Sequence, residues 1–386
     1  MKLSAQSHPL LWQTLPQFEA ALAQSPIRPG PTLVGMSGGV DSSVTALVLK
    51  ALGQDVAGLF MKNWDEDDGT DYCTAKRDLA DAVAVADQLQ IPLHTANFAA
   101  EYWDNVFEDF IASYTSGFTP NPDVLCNREI KFQVFRDYAQ ALGFANIATG
   151  HYAVVKSSST GPELHRAIDE NKDQTYFLTG VAAHQFQNVV FPLGVVDKPL
   201  VRQLAAEAHL ATRSKKDSTG ICFIGERRFK DFLQTYIPAQ PGIICDDHEK
   251  SIGQHQGLMY YTLGQRKGIG VGGLSGADEK PWYVARKCLA TNRLFITQDP
   301  QHPWLMSHSA ELGSINWITP PSKTPWHGQA RYRHRQPLIS TQSQSPLTSQ
   351  QPVFIFDQPA WAVAPGQYLV LYSGTLCLGG GPVVNR

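Results

Sequence analysis

The chain has 386 residues, 43% of them hydrophobic and 17% charged. At about 150 residues per domain, two or three domains are expected, and the low charge excludes a disordered chain or a coiled coil. A formal charge of -3 and a pI near 6.5 give no support at the level of net charge for a nucleic-acid partner, although local patches act within a Debye length of about 8–10 Å.

The opening MKLSAQSHPLLWQ lacks the continuous apolar stretch of a secretory signal. No segment approaches the ~20 apolar residues of a membrane helix. A cytoplasmic protein is expected. The cysteines Cys73, Cys126, Cys222, Cys245, Cys288 and Cys377 form no CxxC pair. That argues against a zinc site, and no other metal site held by the protein alone is expected.

Residues 1–30, rich in Pro, Gln and Ala, read as an extension ahead of the fold. An apolar run over 31–36 predicts a strand ending at glycines. Residues 41–52 have helical spacing, with Val44, Leu47, Val48 and Leu52 on one face and Gly53 as cap. Strands are predicted over 56–61, 92–98 and 146–153, and helices over 75–89, 101–114 and 127–142. This alternation predicts an α/β, doubly wound parallel sheet. Helical spacing returns over 228–236. Glycine and turn residues then dominate, as in TLGQRKGIGVGG. From about residue 290, short apolar runs over 293–297, 353–356, 367–372 and 375–378 predict a small antiparallel barrel or sandwich. The Gln/Ser-rich stretch 336–351 reads as containing an exposed loop.

The sharpest local signal is Ser37-Gly38-Gly39-Val40-Asp41-Ser42, set between a strand and a helix. Glycines let backbone amides approach a phosphate, and the following helix adds its positive N-terminal end. Asp41 could orient the loop or help hold magnesium. Neither GxxxxGK[ST] nor GxGxxG is present at this turn. SGGVDS in this setting resembles the pyrophosphate loop of the ATP pyrophosphatases, which adenylate a carbonyl oxygen. Met61, at the carboxyl end of a strand, lies where open α/β sheets bind ligands, or is an ordinary core residue.

Cys126 lies in NPDVLCN, read as just before a helix beginning near Asn127. A thiol at a helix N-terminus is more acidic, and Arg128 and Lys131 add positive charge. Asp123 is available for proton transfer. The alternative is a small buried cysteine. Cys222 lies in KKDSTGICFIG, bracketed by glycines and preceded by two lysines, with the same alternative.

Together, GMSGGVDSSV, FMKNW, NPDVLCN followed by IKF, ATGHY, KDQTYFL, KKDSTGICFIGERRF, TLGQRKGIGVGG and LGGG resemble the bacterial tRNA-specific 2-thiouridylase family, in the family's order from about residue 33 onward. The resemblance implies a PP-loop domain over 31–215, a central tRNA-binding domain over 216–290 and a β-barrel over 291–386. It implies adenylation by ATP, with Mg2+, of the C2 oxygen of wobble uridine 34, followed by sulfur transfer from a persulfide. Gly35, Met36, Ser37, Gly38, Gly39, Val40, Asp41 and Ser42 would bind the phosphates, with Met61 and Gly150 touching the nucleotide. Asn121, Pro122 and Asp123 would meet the target base. Cys126 would be the catalytic nucleophile and Cys222 the persulfide carrier. Lys172, Asp173, Gln174, Arg331 and Tyr332 would contact tRNA, and a sulfur-donating protein is implied.

Adenylation converts a poor leaving oxygen into part of AMP, and a persulfide is a strong nucleophile near neutral pH. Basic residues cluster at Arg213, Lys215 and Lys216; Arg227, Arg228 and Lys230; Arg266 and Lys267; and Arg331, Arg333 and Arg335 with Tyr332 and His334 interleaved. They read as an RNA-facing surface or as solvated faces. The competing classes are an ATP pyrophosphatase with a nitrogen nucleophile, a tRNA-binding protein that consumes no ATP, and a thiol-redox protein.

Overall fold

The computed structural model describes residues 3–65, 75–217, 229–271 and 280–386. The strands of the first half are β1 (Thr32–Gly35), β2 (Val56–Lys62), β3 (Leu93–Asn97), β4 (Asn146–Ala148), β5 (Ala153–Ser158), β6 (Gly161–Arg166) and β7 (Val189–Val190). The helices are α1 (Pro9–Gln24), α2 (Val40–Ala51) and α3 (Ala75–Leu89), followed by two composite helices. In the first, α4, Ala99–Tyr102 and Glu108–Thr115 flank a π-helical Trp103–Phe107. In the second, α5, Pro122–Leu125 and Phe135–Ala141 flank a π-helical Cys126–Val134. The later helices are α6 (Thr175–Leu178), α7 (Lys198–Glu207) and α8 (Phe229–Tyr236).

A five-stranded parallel sheet runs in the order β3-β2-β1-β4-β7. β1 pairs with β2 on one side and with β4 on the other. The order reverses between β1 and β4, and in such sheets ligands bind outside the carboxyl ends of the strands at that point. β1 is buried along its whole length, so its sequence shows no alternation of apolar and charged residues.

Residues 1–30 do not form a detached extension. Leu11, Leu15, Phe18 and Leu22 of α1 are buried in one core with Val44, Leu47 and Val48 of α2. Their spacing is helical, and the Pro/Gln/Ala composition concealed it. Glu207 accepts hydrogen bonds from the Leu10 and Leu11 amides at 2.8 and 3.0 Å, so a carboxylate from α7 anchors the first turn.

A four-stranded central sheet runs Tyr283–Cys288, Arg293–Thr297, Gly242–Cys245, Ser251–His255. The strand Arg293–Thr297, placed with the barrel on sequence, thus pairs inside this sheet. The strands Met306–Leu312, Val353–Trp361, Ile339–Ser343, His327–Arg331, Tyr368–Ser373 and Leu376–Asn385 follow one another and close by pairing of the first with the last. This is an antiparallel six-stranded barrel. The stretch 336–351 therefore contributes a barrel strand, Ile339–Ser343, in which Thr341 and Ser343 point inward as buried polar residues. The hairpin β5–β6 pairs with the last barrel strand, Leu376 opposite His165 and Cys377 opposite Leu164.

Phe18 is fully buried. Phe18→Ala should lower unfolding free energy by about 3–5 kcal/mol in urea titrations; a change below 1 kcal/mol would show that α1 is not part of the cooperative unit.

Candidate functional site

The loop after β1 is closed by its own serines. Ser42 Oγ accepts from the Ser37 amide at 3.2 Å and donates to Gly39 O at 3.1 Å. Ser43 Oγ also donates to Gly39 O, at 2.8 Å. Gly38 has φ +69°, and a Cβ there would lie 2.2 Å from the Asp78 carbonyl oxygen of α3, so only glycine fits. Gly39 caps α2 without a side chain, which leaves the first amides of the helix for an external anion. Across the switch point, a Cβ on Gly150 would lie 2.8 Å from the Asp41 carbonyl carbon and 2.9 Å from the Ser42 nitrogen. Met61 Cε and Phe135 Cε1 of α5 each lie 3.4 Å from where a Cβ on Gly35 would be. The structure thus gathers Gly35, the 37–42 loop, Met61 and Gly150 at one sheet edge. Met36 and Val40 are buried and act as the loop's apolar footing.

Asp41 is the charged centre of this edge. Lys198 Nζ donates to both of its carboxylate oxygens, at 2.6 and 2.8 Å, and the Tyr152 hydroxyl donates to Oδ1 at 2.9 Å. Burial and the Asp41 charge hold the Tyr152 phenol protonated. Lys198 also pairs with Asp217 at 2.9 Å. Asp217 takes further bonds from Lys172 at 2.6 Å and from Arg202. Partial burial opposes its charge, yet the hydrogen bonds from Lys172 and Lys198 hold the Asp217 carboxyl well below the usual carboxylate range. Sequence reasoning missed Lys198, Tyr152 and Arg202. Asp197, which caps α7 through a bond from the Leu200 amide, marked only a helix start.

The helix carrying Cys126 begins earlier than predicted. Asn121 is its N-cap and accepts from the Asp123 amide at 3.2 Å, with Pro122 in the first turn. Cys126 therefore lies beyond the first turn rather than at the helix N-terminus, and it is buried with Phe132 and Tyr176. Burial pushes the Asp123 carboxyl above its ordinary range, partly offset by the Lys131 charge. Such a carboxyl takes and returns protons closer to neutrality. Asn127 donates to Phe177 O at 3.0 Å, which pins α6 against α5. Cys222, Arg227 and Arg228 lie outside the described residues, as does Cys73.

The residues expected to contact tRNA divide differently. Asp173 is fully buried, with Arg331 Nη1 at 3.0 Å and Thr175 Oγ1 at 3.0 Å from its oxygens. Arg331 is itself 3% exposed. Gln174 accepts from the Tyr152 amide at 2.9 Å. Tyr332 is buried, and its hydroxyl accepts from the Trp361 amide at 3.1 Å. Arg333 donates to the Leu263 and Ala362 carbonyls at 3.2 and 3.1 Å. Arg331, Tyr332 and Asp173 thus form a joint between α6 and the barrel. A buried guanidinium needs a carboxylate partner, and Asp173 is that partner. Lys172 pairs with Asp217, and Lys215 with Asp78 and Asp81.

Beside Gly150, His151 is buried between Phe132 and Phe191 and bonded through Nδ1 to Thr149 Oγ1 at 2.7 Å. Burial, with the nearby Lys131 charge, depresses its pKa well below the usual value. Among the described residues, no cluster of three or more His, Cys, Asp and Glu could hold a metal ion by itself, and no helix is long and apolar enough to cross a membrane.

An order-reversing parallel sheet with a glycine loop at its switch point, joined to a small sheet and a barrel, defines a nucleotide-binding α/β protein with two β appendages. Three family models match in series: the tRNA methyl transferase HUP domain over 31–226, the tRNA methyl transferase PRC-barrel domain over 230–298, and the aminomethyltransferase beta-barrel domain over 307–383. The tRNA-specific 2-thiouridylase MnmA of Pseudomonas fluorescens strain Pf0-1 is 55% identical over 352 residues, 91% of this chain and 94% of the relative. The protein of the same name from Stutzerimonas stutzeri strain A1501 is 54% identical over 91% of this chain and 93% of the relative. Among solved structures, the U34-tRNA thiolase NcsA from Methanococcus maripaludis is similar at 15% identity and a TM-score of 0.37, covering 60% of this chain and 76% of that one, too remote to bear on the chemistry. The chain belongs to the tRNA-specific 2-thiouridylase family.

Two outcomes test this geometry. Arg331→Met, which leaves Asp173 with only the longer pairing to Arg166 at 3.6 Å, should cost up to about 3–5 kcal/mol of unfolding free energy; an unchanged urea midpoint would return Arg331 to the surface. The unfolded chain's imidazole at 151 takes a proton near pH 6.5 while the folded one does not, so stability falls as pH drops below about 6.5 and is unaffected above it. Between pH 7.5 and 5, His151→Gln should lose stability less steeply than wild type.

Proposed function

We propose that this chain is a tRNA-uridine 2-sulfurtransferase that adenylates the C2 oxygen of wobble uridine 34 with ATP and replaces it with sulfur carried as a cysteine persulfide. The observation that carries this reading is 55% identity to a tRNA-specific 2-thiouridylase across 91% of the chain. The loop geometry supports it. The positive φ of Gly38 and the missing Cβ of Gly150 open a backbone cradle at the N-terminus of α2 suited to a polyphosphate. Gly35 to Ser42, Met61 and Gly150 would line it, and Asp41 with the phosphates would hold Mg2+, which neutralises phosphate charge.

ATP supplies the leaving group. The uridine C2 oxygen attacks the α-phosphorus, pyrophosphate departs, and Asp123, a raised carboxyl, takes the proton from N3. The terminal sulfur on Cys222 forms the C2–S bond, and the C2–O bond breaks to release AMP. Cys126 attacks the carrier sulfur. Whether this precedes or follows transfer, the S–S electrons end on the transferred sulfur, and Cys126 and Cys222 end as a disulfide. An external thiol then restores them, and a sulfur-donating protein reloads Cys222.

Asn121, Pro122 and Asp123 would receive the base, which must leave its stack to reach the cradle. Lys172 and Gln174 border the same edge and would face the tRNA, of Lys, Glu or Gln type. Nucleotide binding and adenylation would fall to 31–215; 216–290 would carry the persulfide cysteine Cys222 and, with the barrel 291–386, support tRNA, in the cytoplasm.

Unmodified bulk tRNA incubated with the protein, ATP, magnesium and a persulfide donor should show a sulfur-for-oxygen mass gain on uridine by nucleoside mass analysis. Cys126→Ala and Cys222→Ala should each abolish it. Retained thiolation in the double variant, or no gain by wild type with a competent donor, would sink the reading; AMP release with small amines would then indicate nitrogen transfer.

A further inference from the structure

Lys198 stands between two carboxylates that belong to different parts of the chain. Its ammonium lies 2.6 and 2.8 Å from the Asp41 oxygens and 2.9 Å from Asp217 Oδ1, and its side chain is only 10% exposed. Asp41 is on the first turn of α2, at the phosphate cradle. Asp217 belongs to a stretch, from residue 212, that is fastened to the same cradle at several other points. Thr212 Oγ1 donates to Ser43 Oγ at 2.9 Å. Lys215 pairs with Asp78 at 2.7 Å and with Asp81. Asp78 is the residue whose carbonyl oxygen presses on Gly38. Arg202 donates to the Arg213 and Lys215 carbonyls as well as to Asp217.

The two carboxylates are unequally supplied. Asp217 has three cations, Lys172, Lys198 and Arg202, whereas Asp41 has Lys198 and a phenol. One ammonium, itself 10% exposed, serves both carboxylates, which are 32% and 31% exposed. Negative charge arriving at the α2 N-terminus draws that ammonium toward the loop, and Asp217 can release it because two cations remain.

We propose that Lys198 is a positioning residue that couples occupancy of the phosphate cradle to the placement of the 212–217 segment, by sharing its ammonium between Asp41 and Asp217. The inference rests on the reading of the cradle as an ATP site. It gives a reason for one charge network to join the SGGVDS loop to Asp217, which precedes Cys222 by five positions in the sequence. Occupancy of the cradle is thereby reported to the chain leading toward the sulfur carrier, before sulfur is committed. The remaining anchors at Thr212 and Lys215 keep the response a local loosening rather than a detachment.

Hydrogen exchange of the full chain reads this directly, because the Arg213 and Lys215 amides donate to the Leu210 and Thr212 carbonyls, both at 3.0 Å. With α,β-methylene-ATP and magnesium, exchange in 212–217 of wild type should accelerate by about 5–150-fold, the usual range of coupling between sites. Lys198→Gln should bind the analogue yet show exchange that is fast from the start and indifferent to it, and Lys198→Arg should restore the response. By reciprocity, Asp217→Asn, which frees Lys198 for the cradle, should bind the analogue more tightly by the same factor in calorimetry. Wild type that binds the analogue with no change in exchange overturns the linkage alone. So does a response retained by Lys198→Gln, or a complete loss of binding there, which would make Lys198 a direct ligand. If Lys198→Gln does not fold, unchanged affinity in Asp217→Asn decides against the proposal. Wild type that binds no analogue overturns the ATP reading and the linkage with it.

Discussion

The constraint on which the charged edge depends is backbone against backbone. At the switch point, Gly150 approaches the Asp41 carbonyl carbon and the Ser42 nitrogen so nearly that a Cβ would lie 2.8 and 2.9 Å from them. That contact fixes the loop after β1 against the turn after β4, and on the other side Gly38 is fixed against Asp78. Everything charged at this edge is then placed in sequence. The clamped loop sets Asp41, Asp41 holds Lys198 and Tyr152, and Lys198 reaches Asp217. A single methyl at either glycine pushes on main chain rather than on a side chain that can rotate away, so the cost falls on the whole cradle.

A second constraint joins the halves of the protein. The hairpin β5–β6 hydrogen-bonds to the last barrel strand, and the buried pair of Asp173 and Arg331 lies beside that seam with Thr175 and Tyr372. An ion pair so fully removed from water contributes less through its attraction than through the penalty for breaking it. It therefore acts as a registration device between α6 and the barrel. Because α6 is also pinned to α5 by Asn127, the barrel and the helix carrying Cys126 share one framework. Several basic residues are consumed in this framework or in ion pairs, among them Arg331, Arg333, Lys172 and Lys215. A count of basic residues therefore overstates the charge left over for an RNA backbone.

The elements whose periodicity is strong were legible in the sequence: β1, α2, β2, α3 and the later strand Arg293–Thr297. So was the loop, because Gly38, Gly39 and Ser42 sit between an apolar run and a helical one. Less legible were features that depend on what lies opposite. The helix of α1 was hidden by composition although Leu11, Leu15, Phe18 and Leu22 are spaced for one face. The start of α5 at Pro122 was hidden because Asn121 and Pro122 read equally well as a loop. Strand Ile339–Ser343 was hidden because its Gln and Ser residues resemble linker, although it pairs with the strands on either side of it in sequence.

The sequence by itself determined the α/β class, the position of the anion-binding loop and, through its motifs, the family. Those properties reside in local spacing and in residue chemistry. Only the tertiary structure decided which charges meet. Asp41 and Lys198 are 157 positions apart, and Asp173 and Arg331 158. Nothing local distinguishes such a lysine or arginine from one on a solvated face. Burial does, because a charge taken out of water must find its opposite, and the fold alone determines which opposite is within reach.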